Sequence, residues 1–154
     1  MIDIFVNIGI VIAVFFFMEG VAWFTHKYIM HGALWTWHRS HHTVHPHPLE
    51  RNDLFALVFS VPSIGLFYYS AYYSDSFYLT SVAIGILCYG IFYFIFHDVI
   101  VHRRIKIPFK ATSQYMKRIM HAHYVHHEKH SKKHCEAFGF LYAPKKYEKQ
   151  VKNA

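Results

Sequence analysis

Formal charge is nearly missing from three long stretches of this chain. Ile4–Phe24, Leu54–Tyr73 and Phe77–Phe96 hold one charged side chain between them, Glu19, and no lysine or arginine. Hydrocarbon about 30 Å thick is crossed by about 20 helical residues, and each stretch supplies that number. Three membrane spans are expected. Basic residues are also absent before Lys27, so the first stretch lacks the charged n-region of a secretory leader and reads as a retained span. Lysine and arginine are absent again from Tyr73–Ser76, the short loop around Asp75. All 16 of them lie at the histidine-bearing ends of the apolar stretches or in the C-terminal third. That asymmetry predicts a multi-pass membrane protein with the N-terminus and the Asp75 turn outside and every histidine on the cytoplasmic side. It also accounts for the net charge of +7 without nucleic acid, which is not expected as a partner. Docking of anionic lipid or an acidic protein is a secondary reading of the same charge. Cysteine is scarce. Cys88 lies in the third span and Cys135 in the tail, too far apart for a disulfide framework and outside any CxxC pattern.

What the chain has in excess is histidine, 15 residues in 154. Ten of them form two matching sets. His26-x4-His31 is followed by His38-x2-His41-His42, and His97-x4-His102 by His123-x2-His126-His127. Residues at i, i+3 and i+4 fall within an arc of about 100° on one helix face, so each triplet is expected to point at one place. Imidazoles so crowded would repel one another if charged. If neutral and unpaired, they would leave buried nitrogens unsatisfied. Coordination removes both penalties, and neutral imidazole is the commonest metal-binding side chain. The expectation is that the two sets meet around two metal ions at the edge of the membrane.

Other residues are placed around that expectation. Glu19 precedes His26 by seven residues, on nearly the same face of a helix. It reads either as the acceptor that fixes a ligand ring or as a carboxyl bonded to a neighbouring helix. Asp98 and His102 are i, i+4 neighbours, which makes a carboxylate–histidine–metal relay available. Asn52 and Asp53 read as a helix cap. His45 and His47 fall in a loop beside Pro46 and Pro48. Thr112 to about His134 reads as an interfacial helix, with His121 turned away from the ligand stripe and His130 and His134 farther along it. The aromatic tail from Cys135 to Tyr147 is expected to pack on the site or membrane surface, with the last ten residues solvated.

The fold class is therefore all-α. It is one domain over residues 1–154, a membrane helical bundle of three spans, or four if part of the last helix re-enters. A single haem or zinc ion needs fewer ligands than ten. Two ions suit them, iron for dioxygen chemistry or zinc for hydrolysis or storage. A metal transporter would want ionisable groups through the membrane depth, and Glu19 alone is there.

The order HX4H, HX2HH, HX4H, HX2HH is similar to that of the bacterial β-carotene 3-hydroxylases, within the fatty acid hydroxylase and sterol desaturase superfamily. WHRSHH, NDLFALVF, FHDVIVHRR, HAHYVHHEKH and CEAFGFLYAP resemble the carotenoid branch, although Val99 stands where that family commonly has glycine. The resemblance covers nearly the whole chain. It implies a non-haem di-iron monooxygenase of the cell inner membrane that takes a carotenoid from the bilayer lipid and hydroxylates C3 of its β-ionone ring. O2 would be the co-substrate and ferredoxin or ferredoxin reductase the electron source. The iron ligands would be His26, His31, His38, His41, His42, His97, His102, His123, His126 and His127. Zinc could take the same positions in a recombinant sample. A hydroxylase or desaturase of another lipid is the neighbouring alternative.

Overall fold

A computed structural model describes residues 2–43, 47, 49–74 and 76–148. His45, Pro46, Pro48 and Asp75 lie outside the described residues. Three helices are long and apolar enough to cross a membrane. Ile2–Ala33 is built from α1 (Ile2–Phe24) and a π-helical continuation (Thr25–Ala33). Arg51–Tyr73 is a 3-10 turn leading into α3 (Leu54–Tyr73), and Phe77–Val101 is α4 (Phe77–Tyr93) with a second π-helical continuation (Phe94–Val101). Between the first two spans lie α2 (Trp35–His38) and a 3-10 turn (Arg39–His42). After the third span come α5 (Gln114–His127) and a final 3-10 turn (Lys145–Tyr147). No strand occurs among the described residues.

Outward-facing residues of the spans are apolar. Phe16, Phe17, Leu57, Val61, Ile64 and Ile91 are all more than half exposed, which lipid accommodates without cost. Inward faces carry small residues. Helix α4 packs between α1 and α3 and buries Ser81, Ala83 and Gly85. The hydroxyl of Ser81 donates to Asn7 Oδ1 of α1 at 2.8 Å, and that of Ser63 on α3 donates to the Ala83 carbonyl at 2.9 Å. Small residues and interhelical hydrogen bonds are how helices associate in lipid, where apolar burial drives little. The closest approach is at Gly85, where a Cβ would stand 2.7 Å from Val14 Cβ and 3.0 Å from the Val11 carbonyl oxygen. Gly85→Val should therefore force α1 and α4 apart at about 1–3 kcal/mol. A lower unfolding midpoint in detergent checks this; an unchanged midpoint would show that the contact is looser than described.

The π-helical continuations place the histidine pairs. At about 100° per residue, i and i+5 lie about 140° apart on an α-helix, so HX4H would not share a face. In a π-helix the amide bonds to the carbonyl five residues back. His102 N donates to His97 O at 2.9 Å, and Leu34 N to Ile29 O at 2.8 Å. The wider turn brings the two histidines of each pair onto one side. After His31 the backbone leaves helical geometry at Gly32 (φ −108°, ψ −113°).

Helix α5 is shorter than the sequence suggests. Ser113 caps it, its hydroxyl accepting from Met116 N at 3.1 Å, and it ends at His127 rather than near His134. Beyond that point several carbonyls accept from histidine rings instead of from the next helical turn. At 14 residues it falls short of the ~20 that a crossing requires, so the described residues contain no fourth span. The tail packs inward, as expected, but not all of its end is solvated. Tyr147 is buried, and His121 Nδ1 donates to its carbonyl at 2.7 Å. His121 thereby stands apart from the other rings.

Candidate metal centre

All ten histidines of the two sets come together at one end of the bundle, in two groups of five. His26, His31, His38, His42 and His126 form the first, His41, His97, His102, His123 and His127 the second. Within each group the candidate ligand atoms lie within 4.8 Å of one another. The division does not follow the motifs. Each triplet was expected to serve one place, but the 3-10 turn at Arg39–His42 and the positions along α5 split them. His38 and His42 face the first group and His41 the second, whereas His123 and His127 face the second and His126 the first. Each group thus has four histidines from its own half of the chain and the middle histidine of the other half's triplet.

Hydrogen bonds on the outer nitrogens determine what the inner ones can be. In the first group His26 Nδ1 donates to Phe138 O at 3.0 Å, His42 Nδ1 to Lys129 O at 2.9 Å and His126 Nδ1 to Glu136 O at 2.8 Å. His31 Nδ1 donates to Lys132 O at 3.4 Å and His38 Nδ1 to Asn52 Oδ1 at 2.7 Å. Carbonyl oxygens only accept, so the proton of each neutral ring sits on Nδ1 and Nε2 carries a bare lone pair. Yet those Nε2 atoms face one another: His26 and His38 at 3.1 Å, His31 and His126 at 3.2 Å, His38 and His42 at 3.2 Å. Lone pairs so close repel unless a cation lies among them. Metal–nitrogen bonds of about 2.0–2.1 Å separate adjacent donors by about 2.8–3.4 Å, so the spacing fits a transition metal.

Carboxylates surround the second group instead. His41 Nδ1 lies 3.1 Å from Glu50 Oε1 and His97 Nδ1 lies 3.5 Å from Asp98 Oδ1. Arg104 pairs with Asp53 through both terminal nitrogens, at 2.7 and 2.8 Å, and reaches Asp98 at 3.1 Å and Glu50 at 3.5 Å. Inside the group, Nε2 of His41 and His97 stand 2.9 Å apart, as do those of His102 and His123. His123 Nδ1 and His127 Nε2 are buried without a hydrogen-bond partner among the described residues. Coordination would satisfy His127 Nε2, whereas His123 turns its other nitrogen, Nε2, to His102.

Several expectations change here. Asp98 contacts its neighbour His97, not His102, because the widened turn rotates His102 inward. Of the two readings of Glu19, the bond to a neighbouring helix is the one found, and among the described residues it bonds to no histidine. Its Oε2 accepts from Tyr89 Oη at 2.8 Å and its Oε1 from the amides of Phe140 and Leu141 at 2.7 and 2.8 Å. Asn52, read as a cap, is buried and orients His38. Glu50 was missed, although a carboxylate nine residues after His41 in so histidine-rich a segment was a usable signal. His130 Nδ1 donates to the His42 carbonyl, and His134 and His47 are exposed; none of the three joins either group.

Burial and mutual repulsion favour the neutral form of the rings that lie outside the spans. Outside the spans, burial is the largest cause at every ring. It holds His38 down at about 2, His102 and His126 at about 3 and His42 at about 4, against an ordinary value of 6.5. His41, His123 and His127 are lowered as well. Folded values below the unfolded one mean that the unfolded chain binds more protons, so stability rises with pH. The contribution is complete above about 6.5 and is lost as pH falls through about 4 to 3. After chelation, the unfolding midpoint in detergent should drop steadily from pH 7.5 to pH 5, values chosen to bracket the ordinary histidine range at about 6.5. A flat profile would contradict the neutral assignment.

A cavity of about 470 Å³ adjoins the histidines. Its apolar walls come from α1, α3 and α4, and its inner end reaches His26, Asn52 and Asp98. Ile64, Leu87 and Ile91 at the other end are largely exposed on the lipid-facing surface. Phe140 closes the inner end, its ring within 6 Å of those of His26, Tyr93, His97 and His123.

Three helices long and apolar enough to cross a membrane, two five-histidine groups that could each hold a metal ion and an apolar cavity beside the first define a helical membrane protein with a candidate metal centre. Comparison with known proteins narrows this. A β-carotene hydroxylase of Paracoccus sp. (strain PC1) is 43% identical over 136 residues, 88% of this chain and 83% of that one. Those of Pseudescherichia vulneris and Pantoea ananas are each 42% identical, over 91% and 82% of this chain and 78% and 71% of theirs. The chloroplastic β-carotene 3-hydroxylase of Gentiana lutea is 32% identical over 85% of this chain and 41% of its own length. This chain belongs to the β-carotene hydroxylase family. No family model and no solved structure matches it.

Proposed function

We propose that this protein hydroxylates β-carotene at C3 of the β-ionone ring, giving β-cryptoxanthin and then zeaxanthin, with two iron ions held by the ten histidines. One observation carries the reading: ten imidazoles gather in two groups, and His26 of the first lines an apolar cavity walled by the spans. Hydroxylation of β-carotene follows from the bacterial relatives, and position 3 from the name of the plant relative.

Bound iron would supply the O2 activation that breaking an unactivated ring C–H bond requires. One oxygen atom of O2 enters the C–H bond, and the other leaves as water with two electrons and two protons. The chain's own residues do the rest. Walls of α1, α3 and α4 hold the ring and exclude water, while the long polyene stays in lipid. Phe140 and Tyr93 give the ring an apolar face next to the histidines. Asn52, Glu50 and the carbonyls after α5 hold the outer nitrogens of six of the ten rings, which leaves the coordinating nitrogen of those rings unprotonated, and Asp98 lies against His97.

The remaining parts of the reading are electron supply and orientation. Basic residues at the histidine end, among them Arg39, Lys129, Lys132 and Lys133, are exposed and suit an acidic ferredoxin-type donor. The same charges favour the cytoplasmic face of an inner membrane. Aerobic expression in a β-carotene-accumulating host tests the function, and appearance of zeaxanthin with iron in the purified protein is the expected result. Unchanged β-carotene would overturn it, and hydroxylation at another carbon would overturn the assignment of position 3.

A further inference from the structure

Residues 129–141 form neither helix nor strand, yet they supply the outer hydrogen bonds of four of the five histidines in the first group. The acceptors are the carbonyls of Lys129, Lys132, Glu136 and Phe138. A segment with so little regular structure needs fastening, and Glu19 provides it from within the first span. Its Oε1 accepts both the Phe140 and the Leu141 amides, while Tyr89 of α4 holds its other oxygen. The fit is close: a Cβ on Gly139 would stand 2.8 Å from that same Oε1. A carboxyl at that depth is costly and is retained for a function or an internal partner. Among the described residues no hydrogen bond from that segment reaches the second group, which meets it only where the Phe140 ring lies against His97 and His123. The described outer partners of that group are Glu50 and Asp98, which lie on other parts of the chain.

We propose that Glu19 is the positioning residue for the ion of the first group. It acts through the 129–141 segment, whose carbonyls hold His26, His31, His42 and His126 in the tautomer that can coordinate. The proposal rests on the two-ion reading above. It adds that the two ions are separable: release of the segment frees the first and leaves the second. Outer partners of ligand histidines typically account for about 10–100-fold in metal affinity, and that is the change expected.

Titration of the metal-free full-length protein in detergent with Co(II) tests this, with iron content and visible absorption as further readouts. Wild type should take up two ions. Glu19→Ala should take up one as tightly as wild type and bind the other about 10–100-fold more weakly. Glu19→Gln should restore both, because its Oε1 still accepts the two amides and its Nε2 can donate to Tyr89 Oη. Gly139→Ala, which presses on the same contact from the other side, should repeat the Glu19→Ala result. Adding His31→Ala to Glu19→Ala should leave the tight ion in place, and adding His97→Ala should remove it. The proposal is overturned by two tight ions in Glu19→Ala, by equal behaviour of Ala and Gln at this position, or by equal loss of both ions in Glu19→Ala and Gly139→Ala. Fewer than two ions in wild type would remove the two-ion reading itself, and this proposal with it.

Discussion

His126→Ala should empty the ion position served by the first half of the chain, although His126 belongs to the last motif. The reason is the exchange of middle histidines. His126 Nε2 lies 3.2 Å from His31 Nε2, while its neighbours His123 and His127 face the second group. Loss of a direct ligand should cost at least the ~100-fold at the upper end for an outer partner, so the purified protein should retain close to one ion, and β-carotene hydroxylation should disappear. His41→Ala is the mirror case, with the ion beside His97 lost and that beside His31 kept. Combining each variant with His31→Ala or His97→Ala reads out which ion is missing. If His126→Ala and His123→Ala removed the same ion, the grouping described here would be wrong.

Gly90→Leu should cut hydroxylation sharply without touching the metal positions. Gly90 lines the cavity on α4, and a Cβ placed there meets nothing within 4 Å. A leucine side chain would fill space meant for the substrate ring rather than strain a neighbour. Turnover should fall by about tenfold or more, the equivalent of about 1.4 kcal/mol or greater on the barrier. Metal content and the unfolding midpoint should stay as in wild type. Gly65→Leu is the control, since Gly65 is equally open but lies away from the cavity; it should keep full activity. Full activity in Gly90→Leu would mean that the substrate reaches the histidines by another route.

Much of this architecture is legible in the sequence because the membrane imposes it. Charge-free runs of sufficient length have few other uses, and ten histidines in repeated spacing do not arise from packing. The distribution of those histidines between two groups was not legible. An angle of about 100° per residue sends each triplet to one place, and only the 3-10 turn at Arg39–His42 and the fold of α5 against the spans divide them. The HX4H spacing did carry a warning, because His26 and His31 cannot share a face of an α-helix. A π-helical turn is the local answer to that conflict. Least visible were the groups that orient the rings. Asn52 looks like a cap, Glu50 like a loop carboxylate, and a backbone carbonyl such as that of Phe138 has no signature at all.

The exchange of His41 and His126 bears on the order in which the protein can mature. A ribosome releases the first four imidazoles of the first group early, but the fifth and the carbonyls that orient four of the five emerge only with residues 126–138. Neither half of the chain completes a group of five by itself, so metal capture at either group would await the last stage of synthesis. A chain cut after His127 should accordingly insert into the membrane yet hold its first ion only weakly.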